Sequence, residues 1–240
     1  MTTINASIIS LLTCLGLGAL SLLASGGSVT LPGGMPVLVG LMLVILGIQW
    51  IAFVPAWLKH TEKFYDLVGT QTFVLAALLS LGVNLQNGST QFHHYALVGA
   101  ICIWGLRLGS YLVKRVHKTG KDGRFDEIKL SFPQFFMAWT VQALWIFATA
   151  FPAWIILTSE RSSTVDIWVI LGLILWVVGF AIEVTADRQK SAFRERNPDG
   201  ERWIDEGLWS RSQHPNYFGE ILLWTGLFIS GLGFYQGMEW

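Results

Sequence analysis

The segment from Asp187 to Asn216, DRQKSAFRERNPDGERWIDEGLWSRSQHPN, gathers the side chains of this chain best able to do chemistry: six basic and six acidic residues with Phe193, Trp203 and Trp209. Guanidinium groups such as those of Arg194 and Arg202 hold phosphates bidentately, and an aromatic face such as that of Trp203 stacks on a flat heterocycle. Together they suit a nucleotide cofactor. The same composition also suits anionic lipid headgroups. The segment runs into His214-Pro215-Asn216-Tyr217-Phe218-Gly219-Glu220. Proline bars helix at His214, which places the imidazole just ahead of a helix that Asn216 is positioned to cap, with backbone amides turned toward an anion or a polar cofactor group. No GxGxxG follows a strand and no GxxxxGK[ST] occurs, so neither a Rossmann domain nor a P-loop supplies the phosphate site. Cys14 and Cys102 lie far apart in apolar stretches, and no metal site is expected.

The elements that must position these groups are membrane helices. Of 240 residues, 52% are hydrophobic and 13% charged, and the mean hydropathy is +0.51; soluble chains carry roughly 25% charge. Seven apolar runs, approximately 7–24, 36–58, 67–83, 95–113, 134–157, 165–185 and 218–235, are each near the length that crosses about 30 Å of hydrocarbon as helix. The expected fold is an all-α, polytopic membrane helix bundle. Fourteen of the sixteen Lys and Arg residues fall in the loops after the second, fourth and sixth runs, which puts those loops in the cytoplasm. Arg107, Glu183 and Glu220 sit in or at the ends of apolar runs, where an ionised group is costly without a partner or a wet cavity. Each is a candidate functional residue or a helix-end residue snorkelling to the interface.

Glu183-Val-Thr-Ala-Asp187-Arg-Gln-Lys, then Arg194, Gly207-Leu208-Trp209 and His214 to Glu220, resembles the steroid 5-alpha-reductase family, in particular its bacterial members. The resemblance is closest over about 183–230 and extends from about residue 50. It implies a bundle in the bacterial inner membrane that binds NADPH in its cytosolic half and reduces the C=C bond of a lipophilic enone, typically a 3-oxo-4-ene steroid. Carried over by position, Glu183 and Asp187 resemble a polar pair at the cofactor, Arg194 and Arg202 its phosphate-binding arginines, and Arg107 an arginine of an earlier span that reaches it. Asn216 resembles the residue at the nicotinamide end, with Glu220 bracing it; Trp203, His214 and Tyr217 complete the expected cofactor set. Tyr65-Asp66-Leu67 stands where the family engages the substrate carbonyl. Asp66, kept protonated by an apolar site, or Tyr65 is the expected proton donor.

The same resemblance divides the chain into an added N-terminal helix and loop, 1–35, and a reductase-like bundle, 36–240, with cofactor loops 114–133 and 187–216. It also implies an eighth span that this sequence lacks, and a substrate altered by Trp104, which replaces a family tyrosine. The expected partners are a lipophilic substrate and membrane lipid, with no nucleic acid. Two other readings stand beside it: an S-adenosylmethionine-dependent methyltransferase like those acting on isoprenylcysteine, which share a His-Pro-x-Tyr string, and a non-catalytic lipid-binding bundle.

Overall fold

A computed structural model describes residues 3–88, 90–120, 122–161, 167–199 and 202–235, with no side-chain account for 117–119. Lys121 and the side chain of Lys118, counted among the basic loop residues above, lie outside that description, as do 236–240. Among the described residues eight α-helices follow one another: α1 Thr3–Leu23, α2 Val37–Leu58, α3 Tyr65–Gln86, α4 Phe92–Thr119, α5 Phe132–Thr149, α6 Phe151–Thr158, α7 Ile167–Arg196 and α8 Pro215–Ser230. The chain is thus an all-α, membrane-embedded bundle, and the only extended pairings among the described residues are two isolated bridges, Ser28 with Ser159 and Thr30 with Pro36.

Three boundaries differ from those read in the sequence, each for a local reason. The run at 134–157 is broken into α5 and α6, which are bent by 64°. Pro152 causes the break: it has no N–H to bond back into the preceding turn, and its ring collides with the carbonyl four residues earlier. The run before the long polar segment continues as α7 to Arg196, because Ala, Arg, Gln, Lys and Glu are good helix formers whether or not they are apolar. The last run yields α8, whose 16 residues span about 24 Å, short of a hydrocarbon core of about 30 Å. Among the described residues five helices are therefore long and apolar enough to cross a membrane, or six when the bent α5–α6 pair counts as one, against the seven expected.

The chain forms two compact units, Met1–Ser162 with Phe234–Trp240, and Ser163–Gly233. That division falls elsewhere than the boundary at residue 35, because α1 packs within the first unit against α5 and α2. It does so through the buried stripe Ala6, Ser10, Thr13, Leu17 and Ser21, while Ile4, Leu11, Leu12 and Leu15 stay exposed. Small residues on the packed face let helices approach closely where lipid removes any hydrophobic advantage. In the same unit, Phe53 and Ala56 of α2 join Phe125, Phe135 and Trp139 in an aromatic cluster against which Tyr65 packs.

The second unit is the antiparallel pair α7 and α8. A Cβ on Gly179 would lie 2.5 Å from Leu223 N, and one on Gly219 would lie 2.6 Å from Glu183 N. Gly172 and Gly226 oppose each other in the same way one heptad along. Glycine at these four positions lets two backbones touch, and that register sets Glu183 beside the first turns of α8.

Candidate functional site

The second unit contains a cavity of about 790 Å³ walled by the end of α7 and the polar segment that follows it. Lys190, Phe193, Arg194 and Asn197 supply one wall; their spacing of three, four and seven residues is one face of a helix. Arg202, Trp203 and Asp205 supply another, and Trp209 and His214 close the lining. The segment is pinned to α7 by side chains: Trp209 Nε1 donates to Ala186 O at 3.0 Å, and Leu208 N donates to Gln189 Oε1 at 2.9 Å. Gly207 makes the turn with φ of +61°, and the Gln189 amide occupies the space a side chain there would need. Arg196 pairs with Glu206.

Lys190 Nζ lies 4.7 Å from the centre of the Trp209 ring and covers one of its faces, a cation–π contact. Trp203, by contrast, is 84% exposed and presents its rings openly. Pockets of roughly 300–1,000 Å³ take drug-sized ligands. Three cations, an open indole and a covered one are the kinds of group that hold phosphates and a flat ring.

Of the cofactor residues expected from sequence, the structure brings Arg194, Arg202, Trp203 and His214 together in this lining. Glu183 and Asp187 are buried on α7 outside it. Asn216 does not cap α8: Pro215 is already the first helical residue, His214 stands at the N-cap, and Asn216 Oδ1 is buried without a hydrogen-bond partner. Tyr217 is exposed and stacks on His214 with ring centres 5.2 Å apart, and Glu220 lies one turn further along α8. Arg107 belongs to α4 in the first unit, its guanidinium 5.5 Å from the Tyr111 ring centre. Lys190 and Asn197 are additions that the extended periodicity of α7 would have disclosed.

At the N-terminal end of α3, Asp66 stands beside two arginines. Its carboxylate lies 3.1 Å from Arg115 and 3.6 Å from Arg124. The reason is a strap, residues 122–130, that folds back over this end of the unit, with Phe125 seated 4.7 Å from the Tyr65 ring. Arg124 also pairs with Asp122 at 2.5 Å. Tyr65 Oη donates to Ala138 O at 2.9 Å, so its proton is engaged by backbone. Trp104 is buried edge-on against Phe73.

Glu62, which no motif pointed to, anchors the strap. Its side chain is 2% exposed and accepts from Lys129 Nζ at 2.8 Å and from Asp122 N at 3.1 Å. Burial pushes the Glu62 carboxyl up, but Lys129 and the backbone N–H bonds together outweigh it and leave it below its ordinary value of 4.5. The hydrogen bond from Arg124 likewise holds Asp122 below its ordinary 3.8. A carboxyl lowered in the folded state stabilises above its unfolded pKa and ceases to do so as pH falls through the folded one. The strap is therefore expected to be firm at neutral pH and to loosen progressively below about pH 4.5. Glu62→Gln is expected to loosen it already at neutral pH by about 2 kcal/mol, under the 3–5 of a fully buried pair, because Lys129 keeps some water contact. Amide exchange of Phe125 to Leu130 against pH, in both proteins, measures this; equal protection would exclude the anchor.

Residues 52–240 match the family described as proteins of unknown function, DUF1295. No curated protein and no solved structure matches the chain.

Proposed function

The chain belongs to the DUF1295 family, and from that premise we propose that it is an NADPH-dependent membrane reductase acting on the C=C bond of a lipophilic enone such as a 3-oxo-4-ene steroid. The family's likeness to steroid 5-alpha-reductases supports the reading. The observation that carries it is the cavity of the second unit, where Lys190, Arg194 and Arg202 stand with Trp203 and Trp209 around about 790 Å³.

When bound, the reduced nicotinamide supplies the hydride for the β-carbon of the enone. The chain's own residues do the rest. Arg194 and Arg202 would hold the phosphates, and Lys190 would add a compact third charge. Trp203 offers the open stacking face. Asn216 Oδ1, buried without a hydrogen-bond partner, would be an acceptor for the carboxamide of the cofactor. The resemblance makes Tyr65, whose Oη donates to Ala138 O in the first unit, the proposed donor to the substrate carbonyl, a role that would stabilise the developing enolate. Asp66 orders Arg115 and Arg124 and holds the strap in place. The basic loops face the cytoplasm, where the cofactor is found.

Thermal unfolding of detergent-purified protein with NADPH, NADH and S-adenosylmethionine in parallel tests the assignment, since a ligand that binds only the native state stabilises it by about 2.7 kcal/mol at a hundred times its Kd. NADPH is expected to raise the melting temperature, and addition of the enone to consume its nicotinamide absorbance. A rise with S-adenosylmethionine alone would transfer the site to methyl transfer, and no rise with any of the three would leave a lipid-binding bundle.

A further inference from the structure

One helical turn inward from the aromatic cluster of the first unit lies a layer of amides whose oxygens have nothing to bind. Gln49 of α2 is wholly buried, and its Nε2 donates to Thr72 Oγ1 at 2.8 Å. The Thr72 hydroxyl gives its own proton to Val68 O at 2.6 Å, so it accepts from Gln49 and thereby fixes which way the amide faces. Gln142 of α5 is fixed in the same manner, its Nε2 donating to Tyr65 O at 3.2 Å. Both Oε1 atoms are buried without a hydrogen-bond partner, as is the indole N–H of Trp139, a fully buried residue.

Helix register places these groups together. Gln49 precedes Phe53 by four residues on α2, and Gln142 follows Trp139 by three on α5, while Phe53 and Trp139 share the aromatic cluster. Such spacings put each amide one turn along the same helix face. On α3, which starts beside the cluster, the Gln142 amide packs over Gly69 and the Gln49 amide bonds Thr72, again one turn apart. Because α2 runs toward the cluster and α3 and α5 run away from it, all three helices present the layer on the same side.

Two acceptors and one donor, all buried without a hydrogen-bond partner, define the group they suit. A ketone can only accept, and an alkyl group does neither. A hydroxyl donates to an amide oxygen and accepts from an N–H at once. We infer that this layer is a recognition seat for the hydroxyl group of a lipophilic alcohol. The inference goes beyond the reductase reading and rests on it only for the choice of probe.

The probe pair is testosterone and its 17-deoxy analogue, which differ by one hydroxyl, with equilibrium binding measured on the full-length protein in detergent. The expected result is about tenfold tighter binding of testosterone, equivalent to about 1.4 kcal/mol. In Gln49→Leu and in Gln142→Leu the ratio should fall toward one with the deoxy affinity unchanged. Each variant also gives up one N–H bond, to Thr72 Oγ1 or to Tyr65 O, so a slightly lower melting temperature without ligand is expected, and the ratio is the readout that a merely structural role would not move. Trp139→Phe, which keeps the packing ring and removes the N–H, should reduce the ratio too. A ratio of one in the unaltered protein, binding of neither compound, or a ratio indifferent to both Gln variants, as when water alone fills the layer, would overturn the seat. NADPH stabilisation measured on the same samples separates the two readings. Its loss with the ratio intact counts against the reductase alone, and a ratio of one with NADPH stabilisation intact counts against the seat alone.

Discussion

Replacing Arg194 and Arg202 together by alanine is expected to abolish stabilisation by NADPH while leaving the ligand-free melting temperature within about 1 °C. Each guanidinium makes charge-assisted hydrogen bonds to phosphate worth about 1.5–3 kcal/mol, so the double variant should bind at least a hundredfold more weakly. Both residues are exposed at the cavity wall rather than packed in the fold, which is why the free protein should scarcely notice. Lysine at both positions should recover only part of the affinity, because a point charge cannot reproduce the planar fork. Titration of the melting temperature with NADPH in the three proteins gives the answer. Undiminished stabilisation in the alanine protein would move the phosphate site elsewhere.

Gly179→Leu is expected to disrupt the second unit outright. A Cβ at that position would stand 2.5 Å from Leu223 N, and the atoms it meets are backbone, which cannot rotate aside. Overpacking of a core ordinarily costs about 1–3 kcal/mol, and here the whole α7–α8 contact must open, so a larger loss is anticipated. The consequence reaches the cavity: its wall is the far end of α7 and the segment pinned to Ala186 and Gln189, so a shifted α7 should also weaken NADPH binding without touching a lining residue. Gly47→Ala is the matching control, because nothing lies within 4 Å of a Cβ there. Unfolding curves of both variants with and without NADPH test the pair; a Gly179 variant that melts like the parent would show that the two helices need no such contact.

Membrane helices were legible from sequence because an apolar run of sufficient length has few other places to go. Their ends were less so. Hydropathy marks where apolar residues stop, whereas helix stops where backbone bonding is interrupted, as at Gly120 with φ of +78° or ahead of Pro152. Half of the cavity lining was visible in the arginines and aromatics around residues 194–214, and Lys190 and Asn197 would have joined them once α7 was carried to Arg196.

The surroundings of Asp66 were not legible in the sequence. Its two arginine partners lie 49 and 58 residues along the chain, and Glu62 meets Lys129 across 67. Spacing carries no trace of such pairs, because a strap can fold back over a helix end in many ways. The orphaned amides of Gln49 and Gln142 are equally silent in sequence, where an isolated Gln in an apolar run reads as one polar interruption.

By itself the sequence determined that this protein is a helical bundle in a membrane, that its cations gather in a few stretches between apolar runs, and that arginines and indoles lie close along one of them. These follow from composition and local spacing, which act on each segment independently. Only the tertiary structure decided which side chains share a cavity, that Arg115 and Arg124 stand beside Asp66, and that amides from α2 and α5 both bond to α3. Those outcomes depend on register between helices, set by glycine contacts and aromatic packing between residues far apart in the chain.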